Sequence, residues 1–381
     1  MKKSFYITLL LSFLAFSLSA CSPDWQIEFT KDGRSVGQFS FDDFSFYLAI
    51  SGEEDAEGEL LETILLGQML YINGFTLIDE ITLIDEEGNE STFIWEEIAL
   101  ETRLSNKGKV TIEGQEYTPV TIDVSESALA SEIEYSITDI APTMAHILGL
   151  PELVEASGEI LMERSAEHGV LILIDGTQYQ KLQALIADGK LPFLASLDKI
   201  HQGLTVYPPV TAAASAALLT GAIPQVNGAY GHGFRSTELT TLFDLVVREG
   251  KSVIAIEGAS LPFNLRNAEV TISGDRDGNG FSDDNVFTNS LEAIDAGMPD
   301  LLYIHFHEID DMGHEYGPES DEYEQAAIRV DGYLSQIYEA LPTGTFIIIF
   351  ADHGMHAEGE GGNHGNLIAS DLIIPIIFLE K

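Results

Sequence analysis

The chain of 381 residues has one cysteine, two tryptophans, and 18 lysines and arginines against 62 aspartates and glutamates. A single thiol excludes an intramolecular disulfide, so the fold cannot rest on a disulfide framework. A formal charge of −44 leaves too few cations to neutralise a phosphate backbone, and no nucleic-acid partner is expected. Hydrophobic residues at 45% and aromatics at 9% are too many for global disorder. The length suits one large domain with an appendage, or two domains.

The lone cysteine is informative because of its place. Lys2-Lys3, an apolar run over 5–18 and Leu18-Ser19-Ala20-Cys21 read as a cleaved leader over 1–20, too short for an ordinary spanning helix. Leu-Ser-Ala-Cys is similar to the bacterial lipobox, which implies lipidation of Cys21. The expectation is an exported chain of the cell envelope, lipid-anchored to a bacterial membrane and facing away from the cytoplasm.

Two textures follow. Residues 21–136 carry short β-branched runs, at 39–46, 75–84 and 110–112, separated by turn signals at Glu86-Glu87-Gly88-Asn89 and Asn106-Lys107-Gly108. They predict a small β-rich N-terminal domain. With 26 acids, 5 bases and no histidine over 22–136, it reads as an acidic spacer or docking module that lifts the rest of the chain off its anchor. From 137 to 381, continuous apolar runs (170–174, 204–207, 253–256, 301–306, 346–350, 373–379) alternate with helical segments (178–187, 211–219, 237–249, 321–340). That alternation predicts an α/β fold, a mostly parallel sheet sandwiched by helices. Ligands of such sheets sit at the carboxyl ends of the strands, and all ten histidines fall in this half.

Those strand ends carry the chemistry. The first apolar run ends at Ile174-Asp175-Gly176, a later one leads into Asp310-Asp311-Met312-Gly313-His314, and the next into Ala351-Asp352-His353-Gly354. Gly361-Gly362-Asn363-His364-Gly365 follows. Carboxylates and imidazoles without thiolates suit a divalent cation in water. Tyr207-Pro208-Pro209-Val210-Thr211 precedes a run of small residues that favours a closely packed helix, with Thr211 as its N-cap. A hydroxyl at a helix start lies beside free amides and the positive end of the dipole, where a phosphoryl oxygen binds. A nearby cation lowers its pKa enough to make it a nucleophile.

Taken together, the Asp175, Thr211, Leu219-Thr220-Gly221-Ala222-Ile223-Pro224, Asp310-to-Pro318, Asp352-His353 and Asn363-His364-Gly365 elements resemble the alkaline phosphatase superfamily, in its type I phosphodiesterase and nucleotide pyrophosphatase branch. The resemblance runs from 137 to 381. It implies two divalent ions, usually zinc, with manganese or magnesium as alternatives. One would be held by Asp175, Asp352, His353 and the Thr211 oxygen, the other by Asp310, His314 and His364. It also implies attack by Thr211 on a phosphate ester and a phosphothreonine intermediate that water hydrolyses.

Several features depart from that pattern. Residues 137–162 look like the helix that closes this fold after its last strand, and here they precede the first, which suggests a circular permutation. Where the branch has an asparagine on the phosphoryl group, counting from Thr220-Gly221 reaches His232. His232, Ala212 at the helix start and Arg266 are the candidates for substrate contact, and monoester or diester preference stays open. Sulfatase chemistry needs Pro and Arg two and four residues past the nucleophile, where this chain has Ala213 and Ser215. Asp275, Asp277, Asn279 and Asp283 follow the first part of a calcium loop, with Val286 in place of its bidentate acid.

The function expected is hydrolysis of small phosphate mono- or diesters by an exported metalloenzyme. The alternatives are a phosphotransferase or mutase on the same scaffold, or a non-catalytic envelope binding protein. Metabolic labelling with palmitate should mark the wild-type chain and leave Cys21→Ala unlabelled; label that survives the substitution would refute lipidation there.

Overall fold

The computed structural model describes residues 25–41, 51–54, 60–276 and 278–381; the leader with Cys21, and Asp277, lie outside them. The N-terminal part is β-rich, as expected. One five-stranded sheet runs in the order Arg34–Ser40, Gln26–Lys31, Thr121–Glu126, Ile78–Ile84, Glu90–Ile94. A second runs Ser51–Glu54, Leu60–Leu65, Arg103–Ser105, Val110–Ile112, Gln115–Tyr117. Both turn signals close hairpins. In the first, Asp85 Oδ1 accepts from the amides of Glu87 and Asn89. In the second, the chain reverses through Gly108, which pairs the strands on either side.

The larger half is built on one eight-stranded sheet: β1 (Tyr135–Ser136), β2 (His168–Ile174), β3 (His201–Leu204), β4 (Val253–Glu257), β5 (Glu269–Ile272), β6 (Leu301–Phe306), β7 (Thr345–Phe350) and β8 (Ile373–Glu380), in the order β1-β3-β8-β7-β2-β6-β4-β5. Only β8 runs against its neighbours β3 and β7; the other pairings are parallel. Every residue of β6 and β7 is buried, which is why these strands read as unbroken apolar runs rather than as alternations. Helices α1 (Ile140–Ile147), α2 (Tyr179–Ala187), α3 (Thr211–Thr220), α4 (Leu242–Arg248), α5 (Asp283–Gly297), α6 (Glu308–Tyr316) and α7 (Asp321–Ala340) cover it. The α/β architecture is the one expected from the sequence.

The segment 137–162 is integral to this half. A capping box between Ser136 and Asp139 starts it. Ile137, Ile140, Met144 and Ile147 are buried in the main core. The amides of Ser157 and Gly158 donate to the Gly221 carbonyl at the end of α3. Each such buried aliphatic contributes roughly 1.5–3 kcal/mol.

The N-terminal sheets pack against the larger half. Their hydrophobic core continues into Tyr207, Leu367, Ile368, Leu372 and Ile373 of the larger half. Trp95 Nε1 donates to the Leu367 carbonyl at 2.6 Å, and the rings of Tyr71 and Tyr207 meet at 5.1 Å. Gly67 permits this approach, since a β-carbon there would lie 3.2 Å from Leu367 Cβ. Deleting 137–162 should therefore abolish the cooperative thermal transition of the larger half; a truncated chain melting within a few degrees of the intact one would show the segment to be dispensable.

Candidate active site

Parallel pairing brings the acids together. Leu173 lies opposite Phe350 and opposite His305 across β7, β2 and β6, so two residues further on Asp352, Asp175 and His307 come level at one sheet edge. Asp310 reaches the same edge from α6. Gly176 makes room for it: at φ 66°, a β-carbon there would fall 2.7 Å from Asp310 Oδ1. Thr211 enters from α3, whose next nine residues are all buried. Thr211 is the first helical residue and Val210 is the N-cap, which corrects the expectation of an N-cap threonine. Its Oγ1 is therefore free of a capping bond and lies 3.2 Å from His353 Nε2.

The structure brings all seven expected ligands into one cluster. His353 Nε2 is 3.4 Å from Asp175 Oδ1 and 3.3 Å from Asp352 Oδ2. His364 Nε2 is 3.8 Å from Asp310 Oδ1, and His314 Nε2 is 3.4 Å from Asp310 Oδ2. The split between the two proposed sites is less sharp than expected, because His353 groups both with Asp175 and Asp352 and with Asp310 and His364, and its ring stacks on His364 at 3.6 Å.

Two observations test whether this donor set fits divalent cations. First, His353, His364 and His314 each point Nδ1 at a backbone carbonyl, of Gly354, Pro209 and Gly362 respectively, at 2.9, 2.9 and 3.0 Å. A carbonyl accepts only, so Nδ1 carries the proton and Nε2 presents its lone pair to the cluster. Second, Asp175 Oδ1, Asp310 Oδ1 and Asp352 Oδ2 are buried without any protein partner. The opposite oxygen of Asp352 is held by the His353 amide, and that of Asp175 by His305. Three Nε2 atoms and three carboxylate oxygens without hydrogen-bond partners face one another, and the Thr211 hydroxyl beside His353 is the donor placed among them. Their separations match the roughly 3.3 Å between ligands of an ion bound at about 2.0 Å.

Electrostatics point the same way. Burial, then the neighbouring Asp352, pushes the Asp175 carboxyl well above its ordinary range; burial, then Asp175, does the same to Asp310. Burial and the adjacent His353 hold His364 far below the usual imidazole value. Burial and mutual repulsion disfavour the anionic form of the acids, which a bound cation would stabilise, and disfavour the proton on His364, which leaves its lone pair available.

The remaining candidates divide. His232 is exposed at the mouth, its ring 5.8 Å from His364. Ala212 is buried in the first turn of α3, whose first ladder bond is from Ala214 to Val210, so its amide is among those a helix start leaves unpaired. Arg266 does not face the site. Its guanidinium is committed to Asp244 and to the carbonyls of Thr237 and Leu239, pinning the chain that leads into α4. The calcium expectation also fails at Asp283, which is fully buried and accepts from the amides of His307 and Glu308, capping α6; burial pushes its carboxyl up to about 6. Asp275 and Asn279 stay in the loop, where Asp275 accepts from the amides of 278, 279 and 280.

Glu257 was not foreseen. It is 1% exposed at the end of β4 and hydrogen-bonds His305 and His307. The signal for it was a carboxylate closing an apolar run. His356, paired with a buried Asp371 at 2.8 Å, was also unassigned.

A family model described as type I phosphodiesterase / nucleotide pyrophosphatase matches residues 169–252 and 262–370. The chain belongs to that family. All seven ligand candidates of this phosphodiesterase-family chain fall in the matched spans, and Glu257 falls between them. Among curated proteins, the chain is 30% identical over 110 residues to GPI ethanolamine phosphate transferase 3 of Eremothecium gossypii, covering 29% of this chain and 10% of that one. It is 23% identical over 237 residues to the catalytic subunit of the Homo sapiens enzyme of that name, covering 53% and 21%. The chain thus spans between a tenth and about a fifth of the length of these relatives. Among solved structures, murine ectonucleotide pyrophosphatase/phosphodiesterase 5 aligns at 18% identity with a TM-score of 0.42 over 51% of this chain and 59% of that one.

Zinc added to metal-stripped protein should raise Tm, by the equivalent of about 2.7 kcal/mol at a hundredfold excess over Kd. Asp352→Asn should shrink the shift; an equal shift in that variant would argue against the cluster as the binding site.

Proposed function

We propose that the protein is an exported metal-dependent hydrolase of small phosphate mono- or diesters, with Thr211 as nucleophile and Cys21 as the lipid-anchored residue. The observation that carries the reading is the set of buried carboxylate oxygens without partners that meets three directed Nε2 atoms beside the Thr211 hydroxyl. Asp175, Asp352 and His353 would hold one divalent ion, and Asp310, His314 and His364 the other. Bound there, such ions supply Lewis-acid stabilisation of the negative oxygens.

The chain's own part is positioning. The first-turn amides of α3 and the His232 imidazole, at the mouth, orient the phosphoryl oxygens toward Thr211. Thr211 Oγ gives up its proton to solvent and forms a bond to phosphorus as the bond to the leaving alcohol breaks, and the alcohol departs with a proton from solvent. Water then cleaves the phosphothreonine, releasing phosphate or its monoester and restoring the hydroxyl. If an alcohol replaces that water, the same site transfers the group. The likeness to ethanolamine phosphate transferases favours this second reading, over 29% and 53% of the chain.

Turnover of p-nitrophenyl phosphate, its bis ester and p-nitrophenyl sulfate, with and without chelator, separates the classes. Ester hydrolysis should require metal and fall at least about a thousandfold in Thr211→Ala, with sulfate inert. An added alcohol acceptor should yield its phosphate ester if transfer dominates. Turnover indifferent to both chelator and Thr211→Ala would defeat the assignment.

A further inference from the structure

Behind the proposed metal ligands lies a second row of polar side chains that the reaction does not touch. Leu173 of β2 pairs with His305 of β6, and Ile256 of β4 with Ile304 of β6. One residue past the second pair, Glu257 comes level with His305; two residues past the first, Asp175 comes level with His307. Residues two apart in a strand share a face, so the register of three adjacent strands assembles the group.

His305 is fully buried and meets a carboxylate oxygen at each nitrogen, Glu257 Oε2 at 2.9 Å from Nδ1 and Asp175 Oδ2 at 3.0 Å from Nε2. His307 stacks on it, with centroids 3.7 Å apart and planes at 28°. Its Nε2 hydrogen-bonds the same Glu257 oxygen at 3.1 Å, while its Nδ1 lies 3.7 Å from the same Asp175 oxygen, near it but beyond hydrogen-bond range.

Asp175, His305 and His307 bring ligand atoms within 4.8 Å of one another, yet a third ion does not suit them. An ion shared by two imidazoles must lie in the plane of both rings, and stacked rings aim their lone pairs side by side. Every nitrogen of the pair already faces a carboxylate. The group is a hydrogen-bonded brace between Glu257 and Asp175.

We propose that Glu257, acting through His305 and His307, locks Asp175 Oδ2 so that Oδ1 alone is offered to a divalent cation, which makes these three positioning residues of the metal centre. The inference rests on the metal-dependent reading of that centre. The carboxylate rotor is the physical point. Asp175 Oδ1 has no protein partner, so nothing on its open side fixes the group, and the brace must do so from behind. With the brace weakened, the carboxylate spends part of its time turned away from the ion. Partners of this kind typically alter metal affinity 10–100-fold.

Chelator competition on the zinc-loaded full chain tests it. Glu257→Gln and His307→Gln should each release zinc at a chelator activity about 10–100-fold lower than wild type does, and the loss of kcat/KM in Glu257→Gln should reverse when zinc is raised to saturation. Asp331→Asn is the control. That carboxylate is equally buried but accepts from the amides of Phe193 and Leu194, and its loss should lower Tm without moving zinc affinity. Two glutamine variants keep the test open if one fails to fold. Wild-type zinc affinity in both, or a change no larger than in Asp331→Asn, overturns this proposal alone. A wild-type chain that takes up no zinc overturns the metal reading and this proposal with it.

Discussion

Three carboxylates, those of Asp175, Asp310 and Asp352, are forced into one crevice at the edge of the sheet, and each keeps a buried oxygen with no protein partner. A buried, unpaired carboxylate costs several kcal/mol of desolvation, and three together repel one another as well. Among the described residues, the ion-pair contacts of these acids are with histidines rather than with lysine or arginine. The arrangement fits a cage for cations. Much of the surrounding structure serves to hold these groups in place without neutralising them.

That service is visible in the backbone. Three ligand imidazoles are set by carbonyls, and two of those carbonyls come from the segments that carry the ligands themselves, Gly354 beside His353 and Pro209 just before Thr211. The third, Gly362, belongs to a short hairpin, His356–Glu358 with Gly361–Asn363, that folds His364 back over the site. The helix that carries Thr211, the hairpin and the strand ends are thus tied to each other through ring orientation, and a shift in any one turns an imidazole away from the crevice.

The N-terminal sheets belong to the same scheme. Through Gly67, Tyr71 and Trp95 they press on Tyr207, four residues before Thr211, and on Leu367, three residues after His364. Two of the loops that carry the active groups therefore rest on an acidic module that bears no histidine. It supplies apolar surface to chain segments that the central sheet alone would leave half exposed.

The sequence by itself determined the architecture and the cast. Continuous apolar runs specified strands buried on both faces, and acids and imidazoles at their ends specified the edge where chemistry collects, because both signals are local. Asp175, Asp310, His314, Asp352, His353 and His364 stood out at or after the ends of apolar runs, and the family resemblance sorted them, with Thr211, into two ligand sets. What only the tertiary structure decided was which partners each side chain meets across the sheet. Register put Glu257 level with His305, turned Asp283 inward to cap α6, and committed Arg266 to Asp244. The packing of the N-terminal part on the larger half was illegible for the same reason. A module's surface composition is written in its own residues, but the face it docks depends on residues hundreds of positions away, and that pairing has no local signature.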